Sequence, residues 1–155
     1  MNIKRLFLRK GESHLVLRLE QWQEKSESSL EASRILLENN KPVEAVSRAY
    51  YAAYQMVTGV LIKLNLSPRT ELGNWSHQET VKMYRIHICQ KADLGPKERN
   101  ALRNLLPKLR HLLIVRAKAD YDVLAVTDLP LIKSHWRDAN RLVRLLKSLI
   151  MRGVL

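Results

Sequence analysis

Between Val43 and Leu64 the chain reads VEAVSRAYYAAYQMVTGVLIKL, the longest uninterrupted helical pattern it contains. At helical spacing Val46, Tyr50, Ala53, Val57, Val60, Leu61 and Leu64 fall on one stripe. Ala45, Ala49 and Ala52 form a small-residue flank that lets another helix approach closely. Such a segment predicts the central helix of a bundle. Arg48, Tyr51 and Gln55 line a different face at i, i+3 and i+7, and a guanidinium and a phenol beside an apolar seam need partners elsewhere in the fold. A structural hydrogen-bond knot is favoured there over a direct catalytic role.

Few turn-forming residues surround this helix. Five glycines and five prolines in 155 residues leave little material for a many-stranded β fold, and 46% hydrophobic content supplies one sizeable core. The expected fold is all-α: an up-and-down bundle of about five helices in a single domain. Residues 3–19 alternate apolar and polar on both sides of Lys10-Gly11-Glu12-Ser13, which predicts either a short N-terminal β-hairpin or a basic arm. Residues 1–20 are accordingly set apart as an extension and 21–155 as the bundle.

An acidic helix is predicted from Glu20 to about Asn39, ended by Asn39-Asn40 and followed by Pro42 at the start of the central helix, so that the two form an antiparallel hairpin. Ser67-Pro68 through Trp75 reads as a loop. Ser76-His77-Gln78-Glu79 has the form of a capping box opening a third helix that runs to about Lys91. A fourth helical region spans Pro96 to Ala119, kinked or split at Pro107. Thr127 or Asp128 caps a last helix reaching Arg152 and stopped by Gly153.

The formal charge is +12, so polyanions are attracted at neutral pH. Lys133, Arg137, Arg141 and Arg144 recur at steps of four, four and three as one ridge on the last helix, and Arg99, Arg103 and Arg110 make a shorter one on the fourth. Two explanations compete for these ridges, a solvated basic face and a nucleic-acid-binding surface. The acidic first helix is not expected to be such a surface.

The single cysteine, Cys89, rules out an internal disulfide, fits a reducing cytosol and reads as a small core residue. No apolar run approaches the roughly 20 residues that span a bilayer, and charges interrupt MNIKRLFLRK before a secretory core can form. A cytoplasmic, unprocessed protein without a membrane partner is expected. The five histidines show no metal-ligand spacing, and there is no phosphate-binding glycine loop, so no metal and no cofactor are expected.

One further cluster carries chemistry. In Arg116-Ala117-Lys118-Ala119-Asp120-Tyr121-Asp122 an arginine and an aspartate stand one helical turn apart, placed to pair, with a tyrosine beside them. Taken together, SRAYYAAY at 47–54 and RAKADYD at 116–122 resemble the HEPN domain family, over roughly residues 22–152. The resemblance implies a helical bundle that dimerises, and an RNA-associated role in toxin–antitoxin or defence modules, beside a nucleotidyltransferase antitoxin. It also implies, for active members, metal-independent endoribonuclease chemistry by an arginine followed four to six residues later by a histidine, paired across the dimer. Arg116 stands where that arginine belongs, but the fifth residue on is Tyr121, and a phenol with a pKa near 10 is a poor base at neutral pH. Arg9 and His14 have the literal spacing but lie in the extension. The expectation is weak or absent catalysis, with Arg48, Tyr51, Arg116, Asp120 and Tyr121 converging near the dimer seam. A non-catalytic helical adaptor and a plain nucleic-acid binder are the competing functions.

Overall fold

Small residues set how closely the first two helices approach. The computed structural model describes residues 3–68, 73–122 and 128–155, with side chains from Leu19 onward. α1 (Ile3–Glu38) and α2 (Pro42–Lys63) pack against each other as the antiparallel hairpin predicted. On α1, Ser26, Ser29 and Ser33 are all buried and face the alanines of α2, where Ala45, Ala49 and Ala52 have no exposed surface. Ser26 Oγ donates to the Ala52 carbonyl at 2.7 Å and Ser33 Oγ to the Ala45 carbonyl at 2.6 Å, while Ser29 pairs with the Gln55 amide at 2.8 Å. Each hydroxyl thus finds a partner on the neighbouring helix, two on its backbone and one on a side chain, which leaves no buried unpaired group and holds the helices in register. The seam tightens further at Gly59, where a Cβ would lie 2.9 Å from Trp22 Cβ.

The hairpin expected at residues 3–19 is instead helix, continuous with the rest of α1. Its period-two alternation is carried by leucine, arginine, lysine and glutamate, all good helix formers, and a lone Gly11 costs a helix only about 1 kcal/mol. The chain turns out of α1 through Asn40 and out of α2 near Asn65, both left-handed (φ 55° and 61°). Asparagine tolerates that conformation better than most residues.

α3 (His77–Met83) opens with the predicted capping box on Ser76 and Glu79. It runs into a π-helical turn over Tyr84–Ile88, whose buried Tyr84 hydroxyl donates to the Leu102 carbonyl of α4 at 2.8 Å. α4 (Pro96–Tyr121) is one helix that includes Pro107, so the predicted split does not occur. The ring of Pro107 is exposed, on the side of the helix away from the core. α5 (Leu129–Met151) starts at the Asp128 cap, and Gly153 follows with φ 69°. Thr127, the other candidate cap, lies outside the described residues. Among the described residues there are five α-helices and no strand.

α2 is central, touching α1, α3, α4 and α5. Its predicted stripe is buried as far as Leu61, with Val46, Tyr50, Ala53, Val57, Val60 and Leu61 each at most 1% exposed, while Leu64 at its end is half-buried. Cys89 sits in the same core, and burial pushes its thiol up to about 11, so it is an inert core residue. A second, smaller cluster of Leu37, Ala45, Val46, Val115 and Ile132 closes one end of the bundle, where α1 ends, α2 begins, α4 ends and α5 begins.

Candidate functional site

At that end the two motif segments meet. Val115 is buried in the small cluster and fixes the last turns of α4, which turns Arg116 toward α2. The Arg116 side chain is 11% exposed. Its Nη2 donates to the Tyr51 hydroxyl at 2.8 Å, and its Nε lies 2.7 Å from Asp120 Oδ2. The Nε–H is not aimed at that oxygen, so the second contact is an ion pair without a directed hydrogen bond. Ser47 Oγ donates to the other oxygen of Asp120, which ties the first turns of α2 to the last turn of α4. The guanidinium carbon is 5.3 Å from the Tyr51 ring centre and 5.9 Å from that of Tyr121, within the range of cation–π attraction. Burial works against the Arg116 charge but is outweighed by Tyr51 and Asp120, which raise its pKa further.

Behind the arginine lies an aromatic cluster that the sequence did not reveal. Tyr50, Tyr51 and Tyr54 of α2 surround His77, the first residue of α3, with ring centres 5.3, 6.0 and 4.9 Å away respectively. Two contacts deliver the imidazole there: the Tyr54 hydroxyl donates to the Trp75 carbonyl at 2.7 Å, and the Ser76–Glu79 box starts α3 immediately after. His77 Nδ1 is 2.9 Å from the Tyr50 hydroxyl. Burial pushes the Tyr50 phenol well above its ordinary value, so it stays neutral. Burial also lowers the His77 pKa, as does the nearby Arg116 charge, with Asp120 opposing. The ring is therefore mostly neutral at pH 7.

Of the residues singled out from sequence, Tyr51, Arg116, Asp120 and Tyr121 come together. Tyr121 is 81% exposed and meets the site through its ring, against the Arg116 guanidinium. Arg48 is exposed and lines a polar groove with Gln21, Glu24 and Gln55 on the α1 side of α2. His77 could not be found from spacing, because it stands 39 residues before Arg116 and its sequence neighbours mark only a helix start.

The basic residues divide. Lys133, Arg137, Arg141 and Arg144 are exposed along the face of α5 opposite Ile132, Ala139, Leu142 and Leu146. Lys133 and Arg137 also edge a small groove with Arg34, Leu37 and Trp136. Arg103 and Arg110 are exposed on α4. Arg99 is instead half-buried and donates to the carbonyls of Lys91 and Leu94 at 3.4 and 3.3 Å, so it clamps the loop before α4. Among the described residues no three histidine, cysteine or acidic side chains group to hold a metal ion, and no helix is long and apolar enough to cross a membrane.

The chain is 34% identical over 66 residues to a Methanocaldococcus jannaschii protein named "Putative toxin MJ0605". That alignment covers 43% of this chain and 45% of the relative, so it spans less than half of either. The HEPN domain family matches over residues 19–150, which takes in the α1–α2 seam, the tyrosine-rich segment of α2 and the Arg116 turn of α4. With both motif segments inside one match and joined in space by the Arg116–Tyr51 bond, the chain belongs to the HEPN domain family.

Proposed function

We propose that this HEPN protein acts on RNA as the toxin-like component of a toxin–antitoxin or defence module, through the site centred on Arg116. The observation that carries the proposal is the guanidinium fixed between Tyr51, Asp120 and Tyr121 at the junction of α2 and α4. A planar cation held by its own fold suits a phosphodiester, because its orientation is set before the anion arrives. The name of the M. jannaschii relative supports the toxin side of the proposal. The exposed ridge of Lys133, Arg137, Arg141 and Arg144 supplies charge to draw an RNA strand in, and a nucleotidyltransferase antitoxin is the protein partner the proposal includes.

Assembly as a two-fold dimer belongs to the same proposal. Its support is the exposed Ile35, Ile114 and Leu131, since the alanine flank of α2 is already covered by α1. Light scattering should then give twice the chain mass, and a monomer at tens of micromolar would remove the dimer.

The test is induced expression in a bacterial host. Wild-type protein should arrest growth and Arg116→Ala should not, at equal soluble levels. Equal arrest by both would overturn the role of Arg116. One observation favours a second function, that of a helical adaptor: the Arg116 side chain is only 11% exposed. An adaptor predicts that Arg116→Ala lowers the melting temperature and changes nothing else.

A further inference from the structure

Cleaving RNA without a metal needs two things at the phosphodiester: a cation for the phosphoryl oxygens and a group that takes the 2′-hydroxyl proton. Arg116 meets the first need. The residues beside it in sequence do not meet the second, because Asp120 is committed to Arg116 and Ser47 and Tyr121 offers a phenol that stands 81% exposed.

We propose that His77, brought to the same site from α3, is the group that accepts the 2′-hydroxyl proton of an RNA strand whose phosphate Arg116 holds. The inference rests on the RNA-acting function above. Tyr51 links the two residues, lying 6.0 Å from the imidazole between ring centres and bonding Arg116 through its hydroxyl. The imidazole is half-buried rather than sealed in the core, and one of its nitrogens is held by Tyr50. The Tyr50 contact fits either tautomer of the ring; the base is the one with its proton on Nδ1, in which Nε2 carries the lone pair and Nδ1–H donates to the Tyr50 oxygen, as it does again once the ring is protonated. The neighbouring groups are suited to a base. Tyr50, Tyr51 and Tyr54 are phenols, burial and the Arg116 charge lower the pKa of the ring, and Asp120 is the opposing anion.

The step balances without a co-reactant. His77 takes the 2′-hydroxyl proton, the 2′-oxygen bonds to phosphorus, and the bond from phosphorus to the 5′-oxygen breaks. The 5′-oxygen takes a proton from solvent and His77 releases its own. The products are a 2′,3′-cyclic phosphate and a 5′-hydroxyl, and nothing is oxidised or reduced.

The experiment follows a short single-stranded RNA in EDTA across pH, with binding measured separately by fluorescence anisotropy on the uncleavable 2′-O-methyl strand. Wild-type protein should yield cyclic-phosphate ends, with an acidic limb whose midpoint lies below about 6.5, the ordinary histidine value. His77→Ala should lose on the order of 100-fold or more in rate, the usual range for removing a general base, while its affinity for the 2′-O-methyl strand holds. Should His77→Ala melt early, His77→Gln carries the comparison with an amide in the same space. Tyr50→Phe should move the acidic limb to lower pH, an effect that a merely structural tyrosine would not produce. Cleavage by His77→Ala within a few-fold of wild type, or an unchanged acidic limb, overturns the assignment. Wild-type protein that binds the strand and cleaves nothing overturns the role of His77 and leaves RNA binding standing. Protein that neither binds nor cleaves overturns both.

Discussion

Gly59→Ala tests the close approach of α1 and α2 by the sign of its effect. On an exposed helix face this change stabilises by about 1 kcal/mol, because alanine loses less backbone freedom on folding. Here the added Cβ would meet Trp22 Cβ at 2.9 Å and Leu19 Cδ1 at 3.4 Å. Carbon atoms pack best at about 3.5–4.0 Å, so the first contact is short by at least about 0.6 Å. Trp22 Cβ is bonded directly to the α1 backbone and no rotamer change moves it away. The helices must therefore part, and the serine bonds to Ala52 and Ala45 lengthen with them. Overpacking of this kind costs about 1–3 kcal/mol, and each hydroxyl bond is worth about 1 kcal/mol. After subtracting the helix gain, a net loss of about 1–2 kcal/mol is expected. For a chain of this size that is a fall of roughly 2–8 °C in melting temperature, measured by circular dichroism. In a Trp22→Gly background, where the opposing Cβ is absent, the same change should stabilise. A rise in melting temperature for Gly59→Ala in the otherwise wild-type chain would refute the tight seam.

Two other outcomes follow from the charges. His135 is 5% exposed, its Nε2 has no hydrogen-bond partner, and its pKa is lowered by burial, by His111 at 4.9 Å between ring centres, and by Lys108, against Asp138. A base with a depressed folded pKa adds no pH dependence above about 6.5; below that the unfolded chain binds the proton first. Stability should therefore fall from about pH 6.5 to pH 5, and His135→Asn should flatten that slope in urea titrations, an unchanged slope counting against the assignment. On α5, reversing the charge of Arg137 and Arg141 should weaken RNA binding and reduce its salt dependence by about two counterions, since each phosphate contact releases about one; binding and salt slope both unaltered would clear the ridge of any role.

Much of the fold was legible because helical periodicity and caps act locally. The α2 stripe, the Ser76–Glu79 box and the Asp128 cap each depend on residues within two or three turns of one another. The alanine flank of α2 also announced a close helix neighbour, but the serines that complement it, Ser26, Ser29 and Ser33, were found only in the structure. Residues 3–19 misled, because alternation over a short stretch with one glycine fits a strand as well as a helix made of strong helix formers. Half the site was readable. Arg116 and Asp120 are one turn apart on the same helix, and Tyr51 was singled out by its need for a partner. His77 was not, since its approach depends on how the segment before α3 returns over α2 through Trp75, a long-range placement with no spacing signature. Arg48 erred the other way: three residues before Tyr51, it turns to the α1 side.

The central claim is that the junction of α2 and α4 does chemistry on RNA and does not merely hold the bundle together. Arg116→Lys separates the two most directly, because lysine keeps the charge and loses the planar fork that meets Tyr51 and Asp120 at once. Melting temperature and metal-free RNA cleavage should be measured on the same preparation. The account predicts cleavage reduced by on the order of 100-fold with the fold intact and the melting temperature lowered by no more than a few degrees. Cleavage retained by Arg116→Lys, or lost only in step with unfolding, would contradict it.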